Sequence, residues 1–192
     1  MAYRRADIVA KALDVLDAYG LADLSMRRLG SELGVQPSAL YHHFANKQTL
    51  LAALADEILH RGARPRVEGA WDEQVTAISR ELRDAMLAYR DGAELVATAH
   101  AFGLGAVTPD TELASAYDAA GLPDDLLPVA VSTVLHFVFG HAIQEQTHLQ
   151  ASSAGAIDDQ PREASDFELG LALILDGIRS RSAERLSDGR AH

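Results

Sequence analysis

Residues Leu24–Leu51 read LSMRRLGSELGVQPSALYHHFANKQTLL, and the spacing within them decides the fold. Ser25 suits a helix N-cap, Met26, Leu29 and Leu33 share one face of the helix it opens, and Gly34 ends that helix after about two turns. Pro37 and Ser38 open a second short helix over Gln36–His43, with Leu40 and Phe44 directed to the core and Tyr41, His42 and His43 more exposed. Gly34-Val35 forms the tight turn between them. Asn46 then caps a longer helix whose stripe is Leu50, Leu51, Leu54 and Ile58, running to Arg61-Gly62.

Upstream, Ile8, Val9, Ala12, Leu13 and Leu16 recur at helical spacing and the stretch closes at Tyr19-Gly20, where glycine suits a left-handed cap. Two short helices joined by a glycine turn and braced by longer helices are the components of a helix-turn-helix DNA reader. An ordinary helical hairpin has the same spacing.

Composition narrows the remaining classes. The chain has 192 residues, 48% apolar and 23% charged, enough to bury a core, which excludes wholesale disorder. It has no cysteine, so disulfides, thiol nucleophiles and cysteine-based zinc sites are excluded. The opening MAYRRADIVAKALDVLDAYG is broken by acids and a lysine where a signal peptide needs an apolar run. The longest apolar run, Val129 to Ile143, is interrupted by Ser132, Thr133, His136 and His141 and is shorter than the roughly 18 residues of a membrane helix. The expectation is a soluble cytoplasmic protein with no membrane partner. Residues 1–66 carry 9 basic and 7 acidic side chains, net +2, whereas residues 67–192 carry 8 and 21, net −13. Only the head is expected to approach a polyanion.

Leu24, Arg27, Leu29, Leu33-Gly34-Val35, Leu40-Tyr41, His43, Asn46-Lys47 and Leu50-Leu51 fall, without gaps, where the N-terminal signature of the tetracycline repressor (TetR) family of bacterial transcription regulators has these residue types. The stretch therefore resembles that signature. YRDGAEL (Tyr89–Leu95), HFVFG (His136–Gly140) and FELGLALILDG (Phe167–Gly177) are similar to segments of the family's tetracycline-repressor branch. The resemblance implies an all-α chain: a three-helix helix-turn-helix head over residues 1–47, joined by a long helix to a helical effector-binding and dimerisation body over residues 48–192. It implies that Gln36, Pro37, Ser38 and Ala39 face the bases with His42 and His43, that Arg27 and Met26 contribute from the preceding helix, and that Tyr41 and Lys47 hold phosphates. Arg27 is the strongest base reader of this set, since a guanidinium engages guanine O6 and N7 together.

The body is read from two helices that are apolar almost all round, Leu126–Leu149 and Phe167–Ile178. Each needs a second surface to cover it, and a further copy of the chain supplies one; Gly140, Gly170 and Gly177 would allow close approach. The alternative is that both are internal core. A two-fold homodimer places its reading helices in successive major grooves roughly 34 to 36 Å apart, so the expected operator is an inverted repeat. Gln150–Ser165, rich in Ala, Ser, Gly, Asp and Pro, reads as a mobile loop, too short and polar for the lid helix the branch has there. Where the branch holds its magnesium–drug complex with a histidine and a glutamate, this chain has Val96 and Gln144, and further drug-contacting positions fall on Ala63, Ile78 and Leu82. Magnesium–tetracycline is therefore not the expected effector. Ile78, Leu82, Val96, His100, His136 and Gln144 describe a site for a more hydrophobic small molecule.

No metal or cofactor is expected. His42 and His43 point about 100° apart on a helix and cannot share a ligand. His141, Glu145 and His148 share a face by i, i+4, i+7 spacing but read first as a solvated helix end, and His136 as a hydrogen-bonded core histidine. No glycine-rich phosphate loop, G-x-S-x-G or H-E-x-x-H is present, so an enzyme is not expected. The overall expectation is a repressor released from its operator by an effector. The rival reading is a small-molecule-binding helical protein or enzyme without specific DNA binding.

Overall fold

The computed structural model describes residues 3–155 and 166–188, without the side chains of 186–188. Its elements are α1 (Arg5–Tyr19), α2 (Met26–Leu33), α3 (Pro37–Leu40), α4 (Lys47–Gly62), α5 (Trp71–Leu87), α6 (Gly92–Ala101), α7 (Thr108–Ala119), α8 (Leu127–Ser153) and α9 (Phe167–Asp188). The all-α expectation holds: no strand occurs among the described residues. Packing divides the chain into two compact units, Met1–Ala63 with Arg83–Val107, and Arg64–Leu82 with Thr108–His192.

In the first unit α1 packs on α2 and α4, α2 on α3, and α4 on α6. The apolar positions read from the sequence meet here. Ile8, Leu13, Leu16, Leu24, Leu29, Leu40, Phe44, Leu50, Leu54 and Ile58 are all under 2% exposed. Each such burial contributes about 1.5 to 3 kcal/mol, which fixes the two short helices α2 and α3 that propensity alone would not hold. Local chemistry sets the boundaries. The Ser25 hydroxyl accepts the Arg28 N–H at 3.1 Å, and Asn46 and Thr49 exchange bonds across the start of α4, at 2.9 and 3.2 Å. Gly34 ends α2 in the left-handed region, φ 68° and ψ 29°, with the Val35 N–H returned to the Gly30 carbonyl at 2.9 Å.

Two boundary expectations are corrected. Gly20 does have positive φ, 84°, but ψ is 172°, so the chain leaves α1 extended rather than through a left-handed cap. The second short helix covers Pro37–Leu40 rather than Gln36–His43. The Leu40 carbonyl accepts both His43 N–H, at 2.9 Å, and Phe44 N–H, at 3.0 Å. That sharing tightens the chain into a turn and returns Phe44 to the core beside Leu40.

Two aspartates tie this unit together. Asp17 Oδ1 accepts the Arg90 N–H at 3.2 Å, and Asp91 Oδ2 accepts the Leu21 N–H at 2.7 Å, so the end of α1 and the turn before α6 hold each other. Asp91 has φ 55°, a strained value for a residue with a Cβ, at the N-cap of α6.

In the second unit α8 packs on α7 and α9. α8 buries Ala130, Val131, Val134, Leu135, Val138, Phe139 and Ala142. Its other side exposes Val129, His136, Gly140, Ile143, Gln144 and Leu149. α9 likewise buries Phe167, Leu171, Leu175 and Ile178 and exposes Leu169 and Leu173. Gly170 accommodates the Phe137 ring, whereas nothing lies within 4 Å of a Cβ at Gly140 or Gly177. Gln150–Ser153, expected in the loop, continue α8 instead, and residues 156–165 lie outside the described ones. At 27 residues α8 is long and apolar enough to cross a membrane by length and composition, which corrects the shorter run read from the sequence.

Candidate nucleic-acid interface

The reading segment is held from beneath and open above. Leu40 and Phe44 are 1% exposed, while Gln36, Ser38, Ala39, Tyr41, His42 and His43 between and around them are exposed. Tyr41, with 51% of its surface accessible, is therefore not a core aromatic. Pro37 and Lys47 are half-buried. Pro37 occupies the first turn of α3, where its missing N–H costs nothing, and Lys47 is the first residue of α4. From Leu33 to Ala55 the sequence contains no carboxylate, so Lys47, His42 and His43 lie in a stretch with no counter-charge of its own.

The two arginines of α2 have different surroundings. The Arg28 guanidinium lies over the Tyr19 ring, 3.6 Å from its centroid, and its Nε is buried with no hydrogen-bond partner among the described residues. Arg27 is exposed, and among the described residues it has no ion pair. Its side chain is thus available to a ligand while that of Arg28 packs the head. Met26 is only 6% exposed, on the core face with Leu29, and is not brought to the surface with the other nine expected DNA-binding residues. The reason is helical phase: position 26 shares the face of 29 and 33.

Two residues not singled out in the sequence stand beside the reader. The Tyr3 phenol donates to the Leu33 carbonyl at 3.0 Å, and the Arg5 guanidinium lies 4.9 Å from the centroid of the Phe44 ring. The only sequence signal was the basic pair Arg4-Arg5, which does not disclose a contact 39 positions away.

The six expected effector residues are divided between the two compact units. Ile78 lines a groove of about 580 Å³ in the second unit, between residues 64–67, α5 and α7. Its rim is charged and internally paired: Glu81 accepts the Arg64 N–H at 3.1 Å and pairs with Arg66 at 3.6 Å, and Arg66 also pairs with Glu112. Leu82 is buried, one helical turn beyond Ile78. Val96 is fully buried and His100 half-buried, both on α6 in the first unit. His136 and Gln144 lie on the exposed side of α8, so His136 is not the core histidine its sequence context indicated. His141 and Glu145 approach to 3.7 Å, but no three-residue metal cluster forms among the described residues.

The fold and this head define an all-α helix-turn-helix protein with further helices following the head. The family model described as "Bacterial regulatory proteins, tetR family" matches residues 8–54, and that described as "Tetracyclin repressor-like, C-terminal domain" matches residues 65–165. The chain is 33% identical over 195 residues to the class A tetracycline repressor from transposon 1721 in Escherichia coli, covering 91% of this chain and 89% of that protein. It superposes on the crystal structure of Mycobacterium smegmatis BioQ with a TM-score of 0.86 at 42% identity, over 93% of this chain and 98% of that one. BioQ in complex with its double-stranded DNA operator matches with a TM-score of 0.78. The chain belongs to the TetR family of bacterial transcriptional regulators, and it is a regulator rather than an enzyme.

Proposed function

We propose that this protein is a cytoplasmic repressor that occupies an inverted-repeat operator as a homodimer and leaves it when a small molecule binds the body. The observation that carries the reading is the open, carboxylate-free surface of Gln36–Lys47, mounted on the buried pair Leu40 and Phe44. A short helix presented this way enters a major groove with its polar residues toward base edges, while Tyr41 and Lys47 reach phosphates. That BioQ, a 42%-identical relative, has been crystallised with its operator supports the same use of this head. Residues 1–47 read DNA and residues 48–192 supply dimerisation and effector binding.

The homodimer rests on what α8 and α9 leave uncovered. Val129, Ile143, Leu149, Leu169 and Leu173 are 56%, 37%, 53%, 64% and 67% exposed, beside open backbone at Gly140 and Gly177. A second copy covers these side chains in a two-fold bundle. His136 and Gln144, on that same side of α8, then belong to the subunit contact rather than to an effector pocket. The effector reading rests on Ile78, which lines the groove of the second unit. Binding of DNA and effector to one dimer is reciprocally coupled, each weakening the other by the same factor.

Light scattering of the protein alone and with a bound duplex tests this assembly. Two chains per particle in both states is the expected result, and a single chain on the duplex contradicts it. Magnesium–tetracycline is expected to leave the complex intact, because Val96 stands where the related branch has a histidine and its side chain offers the metal no ligand atom.

A further inference from the structure

The DNA-binding reading leaves one cationic side chain beside the reader unused, that of Arg5, and the role proposed for it rests on that reading. The N-terminal arm is attached at both ends of the reading segment. Tyr3 is bonded to the carbonyl of Leu33, just before the Gly34-Val35 turn, and Arg5 lies on the ring of Phe44, just after His43. Phe44 is itself 1% exposed, so Arg5 rests on a core side chain.

We infer that Arg5 binds a backbone phosphate of the duplex and thereby extends the DNA contact beyond the helix-turn-helix. A cation–π contact over the Phe44 ring leaves an exposed guanidinium with N–H groups directed to solvent. Those N–H groups can donate to a phosphate in bidentate fashion. Arg5 is exposed, and among the described residues no carboxylate pairs with it. Arg4 differs. Although 86% exposed, its side chain pairs with Asp7 at 3.4 Å, and Asp7 also accepts the Arg4 backbone N–H at 2.9 Å. Those bonds hold the Asp7 carboxyl below the usual carboxylate range, so the Arg4 charge is compensated locally while that of Arg5 is not.

The test measures affinity against salt for full-length wild type, Arg5→Ala and Arg5→Lys, on the duplex the wild type prefers and on random duplex. Removing one phosphate contact per subunit lowers the slope of log affinity against log salt by about 0.9 per subunit. Arg5→Ala is expected to show that loss and to weaken both duplexes by the same factor, with Arg5→Lys keeping the slope. If Arg5→Ala does not fold, Arg5→Gln keeps a planar head over Phe44 without the charge and is expected to lose the same slope. An unchanged slope in the uncharged variants, whatever happens to thermal stability, overturns the inference and leaves Arg5 as a cover for Phe44. A wild type that binds no duplex preferentially overturns the DNA-binding reading itself, which is a different result.

Discussion

Arg27 and Arg28 are adjacent in sequence and about 100° apart on α2, and that angle separates their roles. Arg28 stacks on Tyr19, whereas Arg27 stands exposed without an ion pair among the described residues. Arg27→Ala is expected to cost about 1 to 3 kcal/mol of operator affinity and to relax selection at one base pair. Lys47→Ala, a phosphate contact, is expected to weaken all sequences alike and lower the salt slope. Fluorescence anisotropy on the operator and on single-base variants separates the two; equal losses for Arg27→Ala on every sequence contradict its role as a base reader. Most of this surface was legible in the sequence, because the spacing from Ser25 to Asn46 fixes which residues face out. Met26 was misplaced because the resemblance offered it as a contact while its own helical phase put it with Leu29. Arg5 was not legible at all, since its partner Phe44 is brought to it only by folding.

At the scale of elements, caps were readable and helix ends were less so. Gly34 stops α2 with φ 68°, so Gly34→Ala is expected to destabilise the protein by about 1 kcal/mol through strain at the left-handed position, read as a lower thermal midpoint. The end of α3 was not readable, because it depends on Leu40 and Phe44 docking together in a core that the local sequence does not describe. α7 carries a second test. Tyr117 is fully buried against Trp71, 5.7 Å between ring centroids, and its hydroxyl has no hydrogen-bond partner among the described residues. Tyr117→Phe removes that unsatisfied group and is expected to raise stability by about 1 to 3 kcal/mol. Burial also pushes the Tyr117 phenol upward, so the folded state keeps its proton after the unfolded chain has lost it. Stability is therefore fully present below about pH 10 and declines above it, where the unfolded phenol ionises. Tyr117→Phe is expected to flatten that alkaline decline in thermal denaturation, and an undiminished decline assigns it to other groups.

At the scale of the molecule, the proposed function requires two chains acting together on the operator. The sequence showed that α8 and α9 are apolar on all sides but not which side faces inward, because a helix apolar all round carries no phase in its pattern. The structure resolves this by burying Val134, Val138 and Ala142 and leaving His136 and Gln144 on the exposed side of α8. The compact units also interleave, residues 83–107 packing with 1–63, which a reading along the chain does not reveal. Leu173→Asp places a charge on the uncovered side of α9 and is expected to yield monomers by sedimentation, with operator affinity falling as the second head is lost. A dimer unaffected by this change contradicts the assignment of that face.

The most direct measurement is selection of bound sequences from a random DNA pool, with the stoichiometry of the winning duplex. The predicted result is an inverted repeat, its half-sites one helical turn or a multiple of it apart, bound by two copies of the chain. No enriched sequence, or an enriched site without two-fold symmetry bound by a single copy, contradicts it.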